Sequence, residues 1–403
     1  MSWKKIKLAE LYTVHNGLSK GSQFFGSGYP FLSFSTVFNN YFIPPELPDL
    51  VQSTEKEQQD YSICRGDVFV TRTSETSDEL GMSCVALRNY PCATYNGFTK
   101  RMRPIDQERV LPEYIGYYMR MPSFRGEFRA FSTMTTRASL RNEDLLGLEV
   151  TLPSIDVQKR ISDILACYDN LIENNQKQIK LLEEAAQRLY KEWFVDLHFP
   201  GYENTPIING VPRWWRLDEV KSVVSLLSGY AFKSSSFVDN GKYKIVTIKN
   251  VQDGNFDGEN ANSISEIPSK MPTHCILNDG DILLSLTGNV GRICLVNGAN
   301  YLLNQRVAKL NSKYPAYSYC LFRSKEMFDA MNNLANGAAQ QNLSPIRTEN
   351  MRILIPNDEL IKTFENIVSP MIGKVLLLNK SNGDLKQARD RLLPKLMSGE
   401  LEV

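Results

Sequence analysis

The chain repeats itself once, at a distance far longer than any solenoid period, and this duplication limits its fold to two copies of one globular unit plus whatever joins them. Trp3 precedes Gly17 by 14 residues, and Trp215 precedes Gly229 by the same 14. The alternating run Pro30 to Val37 matches Lys244 to Val251, and Cys64-Arg65-Gly66-Asp67 with its apolar run to Thr73 matches Asn278-Asp279-Gly280-Asp281 with its run to Thr287; both pairs stand at an offset of 214. Leu140 then lies 13 residues before Pro153, and Leu343 lies 13 before Pro356, at an offset of 203, so the second copy is shorter in its middle. Period-two alternation predicts strands, and a turn rich in Gly and Asp ahead of a β-branched run predicts a hairpin followed by a buried strand in each copy.

After each of these prolines the periodicity changes to heptads. Ile161, Leu165, Tyr168, Ile172, Asn175, Ile179, Leu182, Ala186, Leu189 and Trp193 keep a 4,3 spacing, which predicts a helix of about 40 residues, or about 60 Å. Val368, Met371, Val375, Leu378, Asn382, Leu385, Arg389, Leu392 and Leu396 do likewise. One buried asparagine in an apolar seam fixes register, so Asn175 and Asn382 point to the two helices packing on each other, with Leu182, Leu189, Leu378 and Leu385 as further pairing positions. Pro370 is expected to kink or interrupt the second helix, and Phe199-Pro200-Gly201 to end the first. The reading is a mixed α/β chain of the α+β class. Globular segments at 1–152 and 200–355 are each followed by a helical one, at 153–199 and 356–403, and the two helices form an antiparallel coiled coil.

With 403 residues, 42% of them hydrophobic, there is enough chain for two cores. No stretch reaches the roughly 18 apolar residues that cross a bilayer, so a cytoplasmic protein without a membrane partner is expected. Seven cysteines without a Cys-x-x-Cys pair, and three histidines, argue against a disulfide framework and against zinc. The net charge of +1 hides an uneven distribution: residues 208–355 carry 16 basic and 12 acidic side chains, whereas 1–150 carry 17 of each. Within the first copy Arg120, Arg125, Arg129, Arg137 and Arg141 form a local basic stripe, a possible phosphate-binding or simply solvated face.

Catalytic constellations are missing. Phe24-Phe25-Gly26-Ser27-Gly28 fits a methyltransferase cofactor loop, but the segment that would hold a target amine is absent, the only proline pair being Ile43-Pro44-Pro45-Glu46, so Gly26 and Gly28 read as turn glycines. Gly241-Lys242 and Gly373-Lys374 lack the Ser or Thr of a phosphate-binding loop, and Asp384-Leu385-Lys386 lacks the upstream Pro-Asp of a nuclease core. His15, His198 and His274 join no recognisable triad. No catalytic or metal-binding residue is therefore expected, and a duplicated protein of this kind reads as a binding subunit.

The two Trp-to-Gly openings, the segment Leu152-Pro153 to Gln158 and Ile161 with the helix behind it, and the ending Arg391-Leu392-Leu393-Pro394 to Leu401 resemble the specificity subunit of a type I restriction-modification system, over essentially the whole chain. The second Leu-Pro-type segment departs from the usual Glu-Gln by having Glu359-Leu360. The resemblance implies two target recognition domains that read a bipartite, asymmetric site in double-stranded DNA with a fixed unspecified spacer. It also implies two modification (methyltransferase) subunits bound through the helices, and two restriction (translocase-nuclease) subunits beyond them. S-adenosylmethionine, ATP and magnesium would belong to those partners, with no cofactor in this chain. A standalone DNA-binding scaffold or regulator is the competing reading, and an enzyme with an unrecognised motif is a third.

Arg suits guanine, and Asn or Gln suits adenine, through bidentate major-groove contacts. The candidates on loops near basic residues are Lys20, Arg72, Thr73, Lys100, Arg101, Thr135, Thr136 and Arg137 in the first copy. In the second they are Lys233, Asn289, Arg292, Asn304, Gln305, Arg306, Gln340 and Gln341. Segments 133–137 and 336–342 stand at similar distances before their Leu and Pro markers, which singles them out as paired reading loops. Replacing Arg137 by Ala should then cost about 1–3 kcal/mol of binding and relax one base of one half-site. Competition binding over variant duplexes checks this, since an equal loss on every sequence would mark Arg137 as a phosphate contact.

Overall fold

A computed structural model of the protein describes residues 3–74, 80–130, 138–335 and 341–403. The chain forms two compact units, Met1–Asn170 with Lys386–Val403, and Leu171–Leu385. The division falls inside the two long helices, Ile155–Tyr190 and Asp358–Ser398, so each unit joins one sheet-rich segment to parts of both.

The first unit opens on Lys4–Lys7, which runs antiparallel to Glu149–Leu152 and so ties the start of the sheet-rich segment to its end. Its main sheet has the order Tyr12–Asn16, Thr99–Pro104, Val68–Thr71, Ser83–Val85, all antiparallel. Beside it, Phe25–Leu32 lies antiparallel to Asp49–Val51 and parallel to Thr94–Tyr95. The second unit repeats this plan. Arg216–Glu219 pairs with Arg352–Ile355, and the main sheet has the order Val224–Ser228, Val307–Ser312, Ile282–Ser285, Ile293–Leu295. Tyr243–Val246 lies antiparallel to Asn262–Ile264 and parallel to Tyr301–Leu303.

Local sequence explains the match. Asp67 accepts the Cys64 N–H at 2.8 Å, and Asp281 accepts the Asn278 N–H at 2.8 Å. Each closes a turn whose glycine, Gly66 or Gly280, has φ of 89° or 85°. The chain then enters a wholly buried strand, as the Gly-Asp pattern predicts. The run Pro30 to Val37 departs from expectation: the strand stops at Leu32 and Phe34–Asn39 is helical. Ser33 accepts the Thr36 N–H and caps that helix, a local bond that overrides the alternation. Gly26 and Gly28 sit where the Phe25–Leu32 strand shifts register, with φ of 92° and 103°.

Each sheet-rich segment closes one buried cluster by itself and shares a second with the long helices. In the first unit Val157, Ile161 and Leu165 of the first long helix and Leu393, Leu396 and Met397 of the second share a buried cluster with Tyr114, Phe124 and Phe128. In the second unit Ala186, Tyr190 and Trp193 meet Phe364, Val368 and Ile372 beside Tyr317 and Phe322. Within this unit Asn175 donates to Asn382 at 2.9 Å, while Trp193 and Phe364 lie 5.8 Å apart between ring centroids. Advancing along one helix therefore means retreating along the other, an antiparallel pair. Leu378 is buried in this seam and Leu189 packs on the core, with Leu182 and Leu385 half-buried.

Two polar clusters add to this docking. In the first unit Asp169 accepts from Arg389 at 2.5 Å and from the Tyr117 hydroxyl at 2.6 Å. In the second, Glu183 takes Arg323 at 3.1 Å and the Tyr319 hydroxyl at 2.8 Å.

Pro370 does not interrupt the second helix, which runs unbroken through Pro370, Gly383 and Pro394. A mid-helix proline costs about 3 kcal/mol. Pro370 is exposed, whereas Phe364, Val368, Ile372 and Val375 on the opposite face are buried at roughly 1.5–3 kcal/mol each, so packing outweighs the lost hydrogen bond.

Asn382→Leu should leave Asn175 without its partner in a half-dry seam and cost about 1–3 kcal/mol, while Asn175→Leu with Asn382→Leu should recover most of that. Denaturant unfolding of the two variants measures the difference.

Candidate nucleic-acid interface

One end of the main sheet in the first unit gathers four distant stretches of sequence through backbone bonds. After Tyr12–Asn16 the chain turns at Gly17, whose N–H meets the Thr99 carbonyl at 3.2 Å, and Leu18 donates to Tyr95 at 2.9 Å. A Cβ on Gly17 would stand 2.0 Å from the Asn96 carbonyl oxygen, so only glycine permits the approach. Asn96 closes a tight turn with both its acceptors: its side-chain oxygen takes the Phe98 N–H at 2.6 Å and its carbonyl takes the Thr99 N–H at 3.0 Å. The Phe98 carbonyl accepts from Arg72 at 3.0 Å, and the Arg72 carbonyl accepts from Leu140 at 2.9 Å. The backbones of Thr73–Ser74 and Ala138–Ser139 then pair antiparallel.

The second unit reproduces this frame bond for bond. Gly229 donates to Val307 at 3.3 Å, Tyr230 donates to Leu303 at 2.9 Å, and a Cβ on Gly229 would stand 2.2 Å from the Asn304 carbonyl oxygen. Asn304 accepts from Arg306 at 3.2 Å through its side chain and from Val307 at 2.9 Å through its carbonyl. Arg306 accepts from Leu286 at 3.0 Å, Leu286 accepts from Leu343 at 2.7 Å, and Thr287 bridges Asn342. The tips differ. Gly97-Phe98 occupies the turn in the first unit and Gln305-Arg306 in the second, with Phe98, Gln305 and Arg306 all exposed.

The frames bring together Arg72, Thr73 and Lys100 in the first unit, and Asn304, Gln305, Arg306 and the Gln341-Asn342 stretch in the second. Asn289 is exposed on the hairpin after Thr287, its amide facing the Arg292 guanidinium; Arg292 also bonds Gln252. Lys233 is exposed ahead of a short turn at Ser234–Ser236. Lys20 is held by Glu57 at 2.7 Å and the Gln52 carbonyl at 2.5 Å, beside the Phe24 ring. Thr135, Thr136, Arg137 and Gln340 lie outside the described residues.

Lys100 and Arg101 are not loop residues as expected. They sit in the strand Thr99–Pro104, whose alternation sends them to opposite faces, and both are buried. Lys100 bonds Asn142, and burial, reinforced by the nearby Arg72 guanidinium, holds its ammonium below the ordinary lysine value. Arg101 donates to the Ser62 carbonyl at 2.7 Å and lies over Tyr95. The arginine stripe also breaks up: Arg120 binds the carbonyls of Ser83, Val37 and Asn40 at 2.6, 2.7 and 2.6 Å, and Arg141 pairs with Asp144 at 3.0 Å. Phe124, Phe128 and the helix Pro315–Phe322 are core.

Asn96 and Phe98 escaped the sequence reading, although Asn304 to Arg306 did not. Their signal was the repeat itself, since Asn96 matches Asn304 at an offset of 208, between the flanking offsets of 214 and 203. Among the described residues no group of three or more His, Cys, Asp or Glu could hold a metal ion, and no helix is long and apolar enough to cross a membrane.

A duplicated domain that keeps one backbone frame and varies the side chains at its tip defines a class of modular recognition protein. The family model for the type I restriction modification DNA specificity domain matches residues 1–184 and 212–384, and the chain belongs to that family of specificity subunits. It is 26% identical over 418 residues to the type I restriction enzyme MjaIX specificity subunit of Methanocaldococcus jannaschii, spanning 100% of this chain and 94% of that one. It is 20% identical over 468 residues to the HindI specificity subunit of Haemophilus influenzae, covering 99% of each. In fold it is similar to the S subunit of a type I restriction-modification system from M. genitalium, with a TM-score of 0.56 at 15% identity over 98% of this chain and 96% of that one.

Gly17→Ala should push the Asn96 turn away at about 1–3 kcal/mol of stability and weaken recognition of one half-site only. Thermal unfolding together with methylation-site mapping tests both effects, and unchanged recognition would separate the frame from DNA reading.

Proposed function

We propose that each unit reads one half of a bipartite DNA target with the tip of its backbone frame, and that the chemistry belongs to partner subunits. The observation that carries this reading is the pairing of one frame with two different tips. Two identical units would impose a symmetric site on the duplex. Gly97-Phe98 against Gln305-Arg306 makes the halves unequal, which suits an asymmetric target. Arg72 beneath the first tip and Arg306 on the second supply the positive charge that phosphate and guanine call for.

On this reading the long helices hold two modification subunits, with two restriction subunits joining them. S-adenosylmethionine serves methyl transfer, and ATP and magnesium serve translocation and cleavage, all in those partners. This chain itself catalyses nothing, in keeping with a sequence that offers no recognisable triad, phosphate-binding loop or nuclease core. A standalone DNA-binding scaffold would instead purify without such partners.

The test is to express the chain with its modification subunit and map methylated sites. A bipartite asymmetric motif is expected, and Arg306→Ala should cost about 1–3 kcal/mol and relax one position in one half while the other half stays unchanged. A motif that is symmetric, or a variant that degrades both halves alike, would falsify the assignment of one half to each unit.

A further inference from the structure

We infer that Phe98 is a specificity-determining residue of the first unit, making an apolar contact with the C5 methyl group of a thymine at the position where Arg306 serves the other half-site. The inference rests on the proposed reading of DNA by the two frames, and it adds a residue and a base.

Three observations lead to it. Phe98 is 56% exposed, unusual for a phenylalanine, yet its backbone is held on both sides: its N–H goes to the Asn96 side chain and its carbonyl receives the Arg72 N–H. Gly17 lets the turn seat against the chain, so the ring stands on a fixed mount rather than on a loose loop. Arg306 occupies the same place in the second frame, with the same two backbone bonds, so the position is defined by the duplication and not by one domain's irregularities.

The chemistry then narrows the role. A phenyl ring has no donor for a phosphate oxygen and no hydrogen bond for a base edge, so it cannot be a backbone-positioning contact. In the major groove the thymine methyl is the apolar feature that distinguishes one base pair from the others, and aromatic side chains pack on it. Arg306 in the equivalent mount suits the acceptor pair of guanine. Arg72 lies at the base of the Phe98 turn, so a cation stands beside an apolar tip, an arrangement that suits the close approach of a duplex.

The experiment uses the complex of the whole chain with its modification subunit and duplexes carrying the mapped target. Each thymine of the first half-site is replaced in turn by deoxyuridine, which removes only the methyl group. One position should weaken binding of the wild-type complex by about three- to fivefold, the worth of one buried methyl. The Phe98→Ala complex should bind the thymine duplex about that much more weakly and be indifferent to uracil at that position alone. Phe98→Leu, which keeps an apolar tip, should restore part of the methyl discrimination, and Phe98→Arg should favour guanine there. Because the ring is exposed, thermal unfolding of all three should match wild type.

The inference is overturned if no thymine methyl couples to Phe98, or if Phe98→Ala weakens target and scrambled duplexes equally. A kink at one base step that depends on Phe98 but not on the methyl would identify a wedge instead, and would overturn it too. If the wild-type complex still separates target from scrambled DNA in such cases, only the role of Phe98 falls. If it does not, the reading of DNA by the frames falls with it.

Discussion

The packing of two long helices into a buried cluster of each sheet-rich segment is the interaction on which the rest of this structure depends. Leu393, Leu396 and Met397, at the far end of the chain, are buried in the first unit's core, and Tyr190 and Trp193 are buried in the second unit's. Burying each such side chain contributes roughly 1.5–3 kcal/mol, and together they outweigh the proline and glycine penalties inside the second helix, about 3 and 1 kcal/mol apiece. The apolar contact is not directional, and direction comes from the polar groups on the seam. Asn175 with Asn382, Tyr117 and Arg389 with Asp169, and Tyr319 and Arg323 with Glu183 are satisfied in one register only. Burial, followed by the Asp169 carboxylate, pushes the Tyr117 phenol well above its ordinary range, in keeping with a hydroxyl that donates to Asp169.

On that support each unit can hold a tip whose geometry does not depend on the side chains it displays. The frame is made from backbone N–H and carbonyl groups, one asparagine side chain and one glycine without a Cβ. None of these is consumed by the residue at the tip. A position of this kind can change from Phe to Arg without disturbing the fold, as the two copies within this chain demonstrate. The groups that hold the turn are thus separate from the side chain displayed at its tip, which is exposed in both units.

Much of this was legible in the sequence. The heptads of Ile161 to Trp193 and of Val368 to Leu396 predict both helices, because a 3.5-residue apolar repeat has few other uses. Gly66-Asp67 and Gly280-Asp281 predict their turns, because the glycine φ and the aspartate acceptor are local matters. A local bond overrides periodicity where the two compete, as where Ser33 caps a helix in an apparent strand. Alternation within a strand likewise decides more than residue type does. Lys100 and Arg101 look alike as neighbouring cations, but a strand turns them to opposite faces and buries both.

The sequence by itself determined the duplication, the strand-then-helix plan of each copy, the polar breaks in the helical seams and the absence of familiar catalytic motifs, since all of these follow from spacing and residue type along the chain. Only the tertiary structure decided which cations are structural and which stand at the end of the sheet, and only it placed Asn96 and Phe98 opposite Arg72 and Leu140. Those residues are brought together by backbone hydrogen bonds between strands far apart in sequence, and a backbone group carries no side-chain signature from which its partner could be read.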